Sequence, residues 1–166
     1  MAKVKNISFA YKEFTVKDEL DREDQELVNL AVRAAENAYA PYSSFRVGAA
    51  LRLSGGTVIT GTNVENAAFP SGICAERNVL ANASSNYPGE HPVAIAISAL
   101  AETGQTDEPV SPCGNCRQVM AEEELRYGKE FKVILAGKKR IFIITSVADL
   151  LPLQFSVKSL RPGLRK

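Results

Sequence analysis

Apolar positions along this chain recur with two different periods, and the switches between them mark out helices and strands. Leu27, Leu30, Ala31, Ala34, Ala35 and Ala38 fall at i, i+3, i+4, i+7, i+8 and i+11, which predicts a helix with one apolar face. The acidic run Asp21 to Glu26 leads into it, where negative charge suits the positive end of the helix dipole, and Pro41 stops it. Phe45 to Leu53 and Thr57 to Thr62 read as strands around Ser54-Gly55-Gly56, a hairpin signal. A helix is expected from Cys74 to about Ser84, and the apolar run Val93 to Leu100 suits a central strand buried on both faces. Behind Pro112, Cys113 to about Tyr127 reads as helix; Phe131 to Ala136 and Ile141 to Thr145 read as strands; Ser146 to Leu151 reads as a short last helix. Weak alternation around Val4 to Phe14 reads as an edge strand or an arm.

Helices that alternate with strands in this order imply an α/β fold: a three-layer α/β/α sandwich on a mixed sheet of about five strands. Residues 1–22 are expected to form the N-terminal arm or edge strand, and 23–166 a single domain. The 166 residues are 45% hydrophobic and 23% charged, ordinary globular values that fit one domain better than two. Twenty Lys+Arg against nineteen Asp+Glu leave a net charge of +1, with no basic stripe of the kind nucleic-acid binders carry. Small-molecule chemistry is the better starting point. No apolar core of a signal peptide follows the opening Met-Ala-Lys-Val-Lys, and no run is long enough to span a bilayer, so a soluble cytoplasmic protein without membrane or nucleic-acid partners is expected.

Cysteine sharpens the picture. Only three are present, Cys74, Cys113 and Cys116, an odd count that argues against a disulfide framework. Cys113 and Cys116 can grip one ion from a single helical turn, and Cys74 at the start of another helix can close the site with a third thiolate, a donor set that suits zinc. Three ligands leave a tetrahedral ion one open position, the mark of a catalytic site. Glu76, two residues after Cys74, is placed to carry a proton, and Arg77, one turn after Cys74, to offset the thiolate charge. The alternatives are a closed structural zinc knuckle, three ordinary buried cysteines, and an Arg77 that only pairs at the surface. A closed site needs a fourth ligand, and His91, the only histidine, has no spacing partner.

Cys74-Ala75-Glu76 with Pro112-Cys113-Gly114-Asn115-Cys116 resembles the zinc deaminase signature in its three-cysteine form. The segments Ala40 to Ala50, Asn63-Val64-Glu65-Asn66-Ala67, Cys74-Ala75-Glu76-Arg77 and Ser111 to Gln118 all resemble the small homotetrameric cytidine deaminases, as does Leu150-Leu151-Pro152 with Phe155. The similarity runs from about residue 24 to about residue 160.

That resemblance implies a catalytic cytidine deaminase-like domain over 23–166 with one Zn2+ per chain. The implied reaction is hydrolytic deamination of cytidine and deoxycytidine to uridine and deoxyuridine plus ammonia. A zinc-bound hydroxide attacks C4, and Glu76 shuttles the proton. Asn63 and Glu65 match a pair that binds the ribose hydroxyls, with turn chemistry as the plainer reading of the Asn. Phe45 matches an aromatic that packs on the pyrimidine, and simple strand packing is its alternative. Main-chain groups at Ala75 and Ser111 match base-orienting positions. Phe155 matches a residue supplied by a neighbouring subunit, which implies a homotetramer with sites at subunit interfaces; core packing is the alternative. Phe69 stands where many relatives carry Tyr, which removes a hydroxyl near the binding loop. A deaminase of a related aminonucleoside such as blasticidin S, and a non-catalytic zinc-stabilised nucleoside-binding module, remain alternative functions.

Overall fold

The computed structural model describes residues 2–160; residue 1 of the expected arm and 161–166 of the expected domain lie outside the described residues. A mixed sheet of seven strands forms the middle layer. Its members are β1 (Lys12–Phe14), β2 (Arg46–Leu53), β3 (Val58–Thr62), β4 (Pro92–Ala101), β5 (Gly104–Gln105), β6 (Lys132–Ala136) and β7 (Ile141–Ile144). The order across the sheet is β1-β7-β6-β4-β2-β3, with β5 paired to β4. Among the described strands β4 and β6 are the one parallel pair, and α3 (Gly114–Tyr127) lies in the connection between them. The other helices are α1 (Arg22–Ala35), α2 (Ala75–Asn86) and the short α4 (Val157–Leu160).

The five long strands are those expected, the weak alternation before Phe14 ends in the edge strand β1, and β5 is a short pairing that alternation does not reveal. β1 pairs antiparallel with β7 at the sheet edge, Glu13 opposite Phe142. β5 folds back on β4 through Gly104, whose φ of +105° is the conformation glycine adopts freely. The expected last helix is a 3-10 turn, Val147–Leu150, capped by the Ser146 hydroxyl.

Alternation along the strands assigns each helix to a face. Leu51, Ile95, Ile97, Val133 and Leu135 point toward α2 and α3 and pack with Val79, Leu80, Met120 and Ala121. Their sequence neighbours Ala50, Ala94, Ala96 and Ile134 point to the other face and pack with Leu27, Val28 and Ala31 of α1. The result is the expected three-layer sandwich, with β4 buried on both sides except at Val93 and its last residue, Ala101. Asp21 caps α1 by accepting from the Asp24 N–H at 2.9 Å. Asp24 is buried under that first turn and pairs with Lys132 of β6 and with Arg52 of β2 at 3.2 Å, fastening the helix to two strands.

Small residues under α1 let helix and sheet approach closely. A Cβ on Gly48 would lie 2.1 Å from the Ala31 carbonyl oxygen and 2.4 Å from the Ala35 nitrogen, both backbone atoms that cannot step aside. Gly48→Ala is therefore expected to lower stability by about 3 kcal/mol or more. Denaturant unfolding checks this, and a loss below about 0.5 kcal/mol, the size of an ordinary surface substitution, would contradict the close packing.

Candidate functional site

The N-termini of α2 and α3 open side by side on one face of the sheet, and the cysteines sit there. Cys74 is the capping residue of α2 and Cys113 that of α3, both in extended conformation, and Cys116 lies in the first turn of α3. All three sulfurs lie within 4.8 Å of one another, and the Cys113 and Cys116 sulfurs are 3.5 Å apart. Zinc–sulfur bonds of about 2.3 Å put tetrahedral sulfurs roughly 3.8 Å apart, so this triangle accepts the ion with small adjustments. Burial is graded: Cys116 is enclosed, Cys74 half-buried and Cys113 exposed. The hydrogen bond shared with Cys116 lowers the Cys74 thiol to about 6, and the Arg77 charge acts in the same direction. That same bond, with burial, raises Cys116. Thiols must lose their protons to bind a metal, so zinc binding at this trio would release protons.

Glu76, the second residue of α2, is 5% exposed, and burial raises its carboxyl above the usual range. Its own backbone N–H and the Cys116 thiol oppose that shift in part. Among the described residues no cation pairs with it, so the site holds a buried carboxyl able to carry a proton beside three sulfurs. Arg77 is half-buried; it favours the Cys74 thiolate by charge and makes no hydrogen bond to a sulfur among the described residues.

Cys74 also lines a cavity of about 300 Å³ together with Asn63, Glu65, Tyr42 and Phe69. The loop that carries Asn63 and Glu65 is stitched in place by its backbone. Val64 and Ile73 exchange hydrogen bonds at 2.9 and 3.0 Å, and the Glu65 N–H donates to the Tyr39 carbonyl at 2.8 Å. Asn63 accepts from the Val47 N–H at 2.7 Å and donates to the Phe45 carbonyl at 2.9 Å, so its side chain braces the entrance to β2. A carboxamide has two lone pairs and two N–H groups, which leaves one of each for a ligand. Glu65 accepts from the Tyr42 N–H at 2.8 Å, the Ser43 N–H at 3.3 Å and the Ser43 hydroxyl. These bonds, the hydroxyl first, hold its carboxyl below the ordinary range.

Ser43 is the residue that reading the sequence missed. Its hydroxyl donates to Glu65 and accepts from the Phe45 N–H at 3.0 Å, linking two expected substrate contacts. The only signal was the tight turn after Pro41, which puts Ser44 at a φ of 55°. Phe69 meets Tyr42 edge-on, ring centroids 5.7 Å apart, at the cavity rim.

The other expected contacts are not gathered in this cavity. Phe45 is half-buried just before β2 but outside the lining, and Ala75 is buried beside Cys74. Ser111 lines a separate cavity of about 280 Å³ with Arg117 and the arm residues Phe9 and Tyr11. Phe155 is exposed, its carbonyl accepting from Gln118 of α3 at 2.9 Å.

Comparison with known proteins agrees with this geometry. Residues 21–127 match the model of the cytidine and deoxycytidylate deaminase zinc-binding region. The chain is 42% identical over 136 residues to the cytidine deaminase of Halalkalibacterium halodurans, covering 82% of this chain and 96% of that protein. It is 40% identical over 136 residues to the cytidine deaminase of Sporosarcina psychrophila, covering 82% and 93%. The crystal structure of cytidine deaminase from Burkholderia pseudomallei superposes with a TM-score of 0.67 at 42% identity, over 78% of this chain and 97% of that one. The matched region contains the three sulfurs, the buried carboxyl beside Cys116 and the Asn63–Glu65 loop, and the chain belongs to the zinc-dependent cytidine and deoxycytidylate deaminase family.

Proposed function

We propose that the chain hydrolyses the exocyclic amine of cytidine and deoxycytidine, giving uridine or deoxyuridine and ammonia. The observation that carries this reading is the buried Glu76 carboxyl beside the three-sulfur cluster, at the edge of a cavity of nucleoside dimensions. The chemistry that zinc supplies when held by Cys74, Cys113 and Cys116 is Lewis acidity toward a water in the position the sulfurs leave open. Glu76 takes a proton from the attacking water and gives it to N3 of the pyrimidine, then carries the proton of the new C4 hydroxyl to the departing amine. A C4–O bond forms and the C4–N bond breaks, so the balance is one water in and one ammonia out. Burial suits Glu76 to proton transfer, because it raises the carboxyl above its ordinary range and brings the protonated form within easier reach.

Asn63 and Glu65 hold the sugar, using the donor and lone pairs that their loop contacts leave free. Ala75 and Ser111 orient the base through main-chain groups, Phe45 packs on the ring and Arg77 tempers the thiolates. Residues 23–166 act as one catalytic domain, with 1–22 an arm that adds β1 to the sheet edge. The working form is a cytoplasmic homotetramer in which Phe155 of a neighbouring subunit completes each site. Exposed apolar side chains support the assembly: Phe69 is 74% exposed, Leu153 93% and Phe155 57%.

Substrate rank tests the reading. Values of kcat/KM for cytidine and deoxycytidine are expected to exceed those for free cytosine and for blasticidin S, and a preference for blasticidin S would replace the assignment. Glu65→Gln is expected to raise KM for cytidine by about tenfold with little change in kcat, because the sugar contact is made in both ground and transition states. Steady-state kinetics check this, and an unchanged KM would remove Glu65 from the sugar site.

A further inference from the structure

A second cavity opens on the other face of the sheet from the cysteines, between α1 and the turn that joins β6 to β7. It encloses about 410 Å³, the size of a small-molecule site. Lys17, Arg33 and Lys138 line it and no carboxylate does. The Lys17 ammonium is fixed there by donating to the Asn29 side-chain oxygen at 2.7 Å, and Asn29 is itself part of the wall.

The chain has 20 basic and 19 acidic side chains, and the cations flanking this cavity do find carboxylates. Lys139 pairs with Asp107 at 2.6 Å, and Arg140 lies 3.6 Å from Glu13 and 3.7 Å from Glu108. Lys138 is passed over: it acts on Asp107 only by charge at longer range. Among the described residues Lys17 and Arg33 form no ion pair. Helix-end complementarity accounts for Arg33, in the last turn of α1, but not for Lys17 and Lys138, which come from two other segments. The remaining wall includes Val28, Val32 and Ile141, an apolar floor beside the charges.

We propose that this cavity binds a small phosphate-bearing molecule, with the phosphates on Lys17, Arg33 and Lys138 and an apolar body against Val28, Val32 and Ile141. Three gathered cations with no internal counter-ion suit a polyanion, and the floor suits a ring or chain attached to it. The layer of the sheet separates this cavity from the catalytic cluster, so occupancy and cytidine turnover are separable measurements.

Titration calorimetry on the zinc-loaded full chain tests the proposal with two probes, inorganic tripolyphosphate and adenosine triphosphate. Both are expected to bind, the nucleotide more tightly. The Lys17→Gln/Arg33→Gln/Lys138→Gln variant is expected to bind each at least about tenfold more weakly while its cytidine turnover stays unchanged. If that variant fails to fold, Lys138→Glu, on an exposed turn, is expected to weaken both probes by itself. No binding of either probe to the native protein, or equal affinity in the variants, would overturn the site. Tripolyphosphate binding as tightly as the nucleotide would overturn the role of the apolar floor.

Discussion

Glu76→Gln protein is expected to keep its zinc and its fold while losing cytidine turnover by at least about a thousandfold, within the range for removal of a general acid–base group. Glutamine has nearly the volume of glutamate, so the buried position at the start of α2 is filled as before. The amide cannot take a proton from water or pass one to N3, and among the described residues no other carboxylate is buried beside the sulfurs. Metal analysis separates the two possible losses. One zinc per chain with kcat reduced about a thousandfold assigns Glu76 to proton transfer. Zinc retained with kcat within about tenfold of the native value would remove it from that role.

Cys116→Ser is expected to have the largest effect on stability as well as on activity. This thiol is fully buried, and it joins the start of α3 to Cys74 at the start of α2. A zinc ion held across the two helix ends stabilises the folded state by mass action, about 4 kcal/mol when free metal exceeds its dissociation constant a thousandfold. For a chain of this length that corresponds to a fall in Tm of roughly 10 °C. The variant should lose zinc and activity together, and a chelator should lower the Tm of the native protein while leaving the variant unmoved. A Cys116→Ser protein that still binds zinc at unit stoichiometry would contradict a three-sulfur centre.

The site was more legible in the sequence than the contacts that hold it. The three cysteines and Glu76 stood out because metal ligation demands particular residue types at short spacings, and helix caps then place them. Leu27, Ala31 and Ala35 announced α1 because helical periodicity is local. Ser43 gave no such signal, since a serine matters there only after the fold brings Glu65 within reach across 22 positions. Asn63 shows the same limit: its type suggested a turn or a sugar contact, and in the structure it also braces β2. The two-residue strand β5 depends on β4 already being in place, so neither alternation nor propensity marked it out, whereas the edge strand β1 showed only as weak alternation before Phe14.

The most direct test of deamination is to incubate the zinc-loaded protein with cytidine, following loss of the cytosine absorbance and released ammonia in the same sample. Equimolar uridine and ammonia, formed by the native chain and not by Glu76→Gln, is the expected result. No conversion of cytidine or deoxycytidine by folded protein carrying one zinc per chain would contradict it.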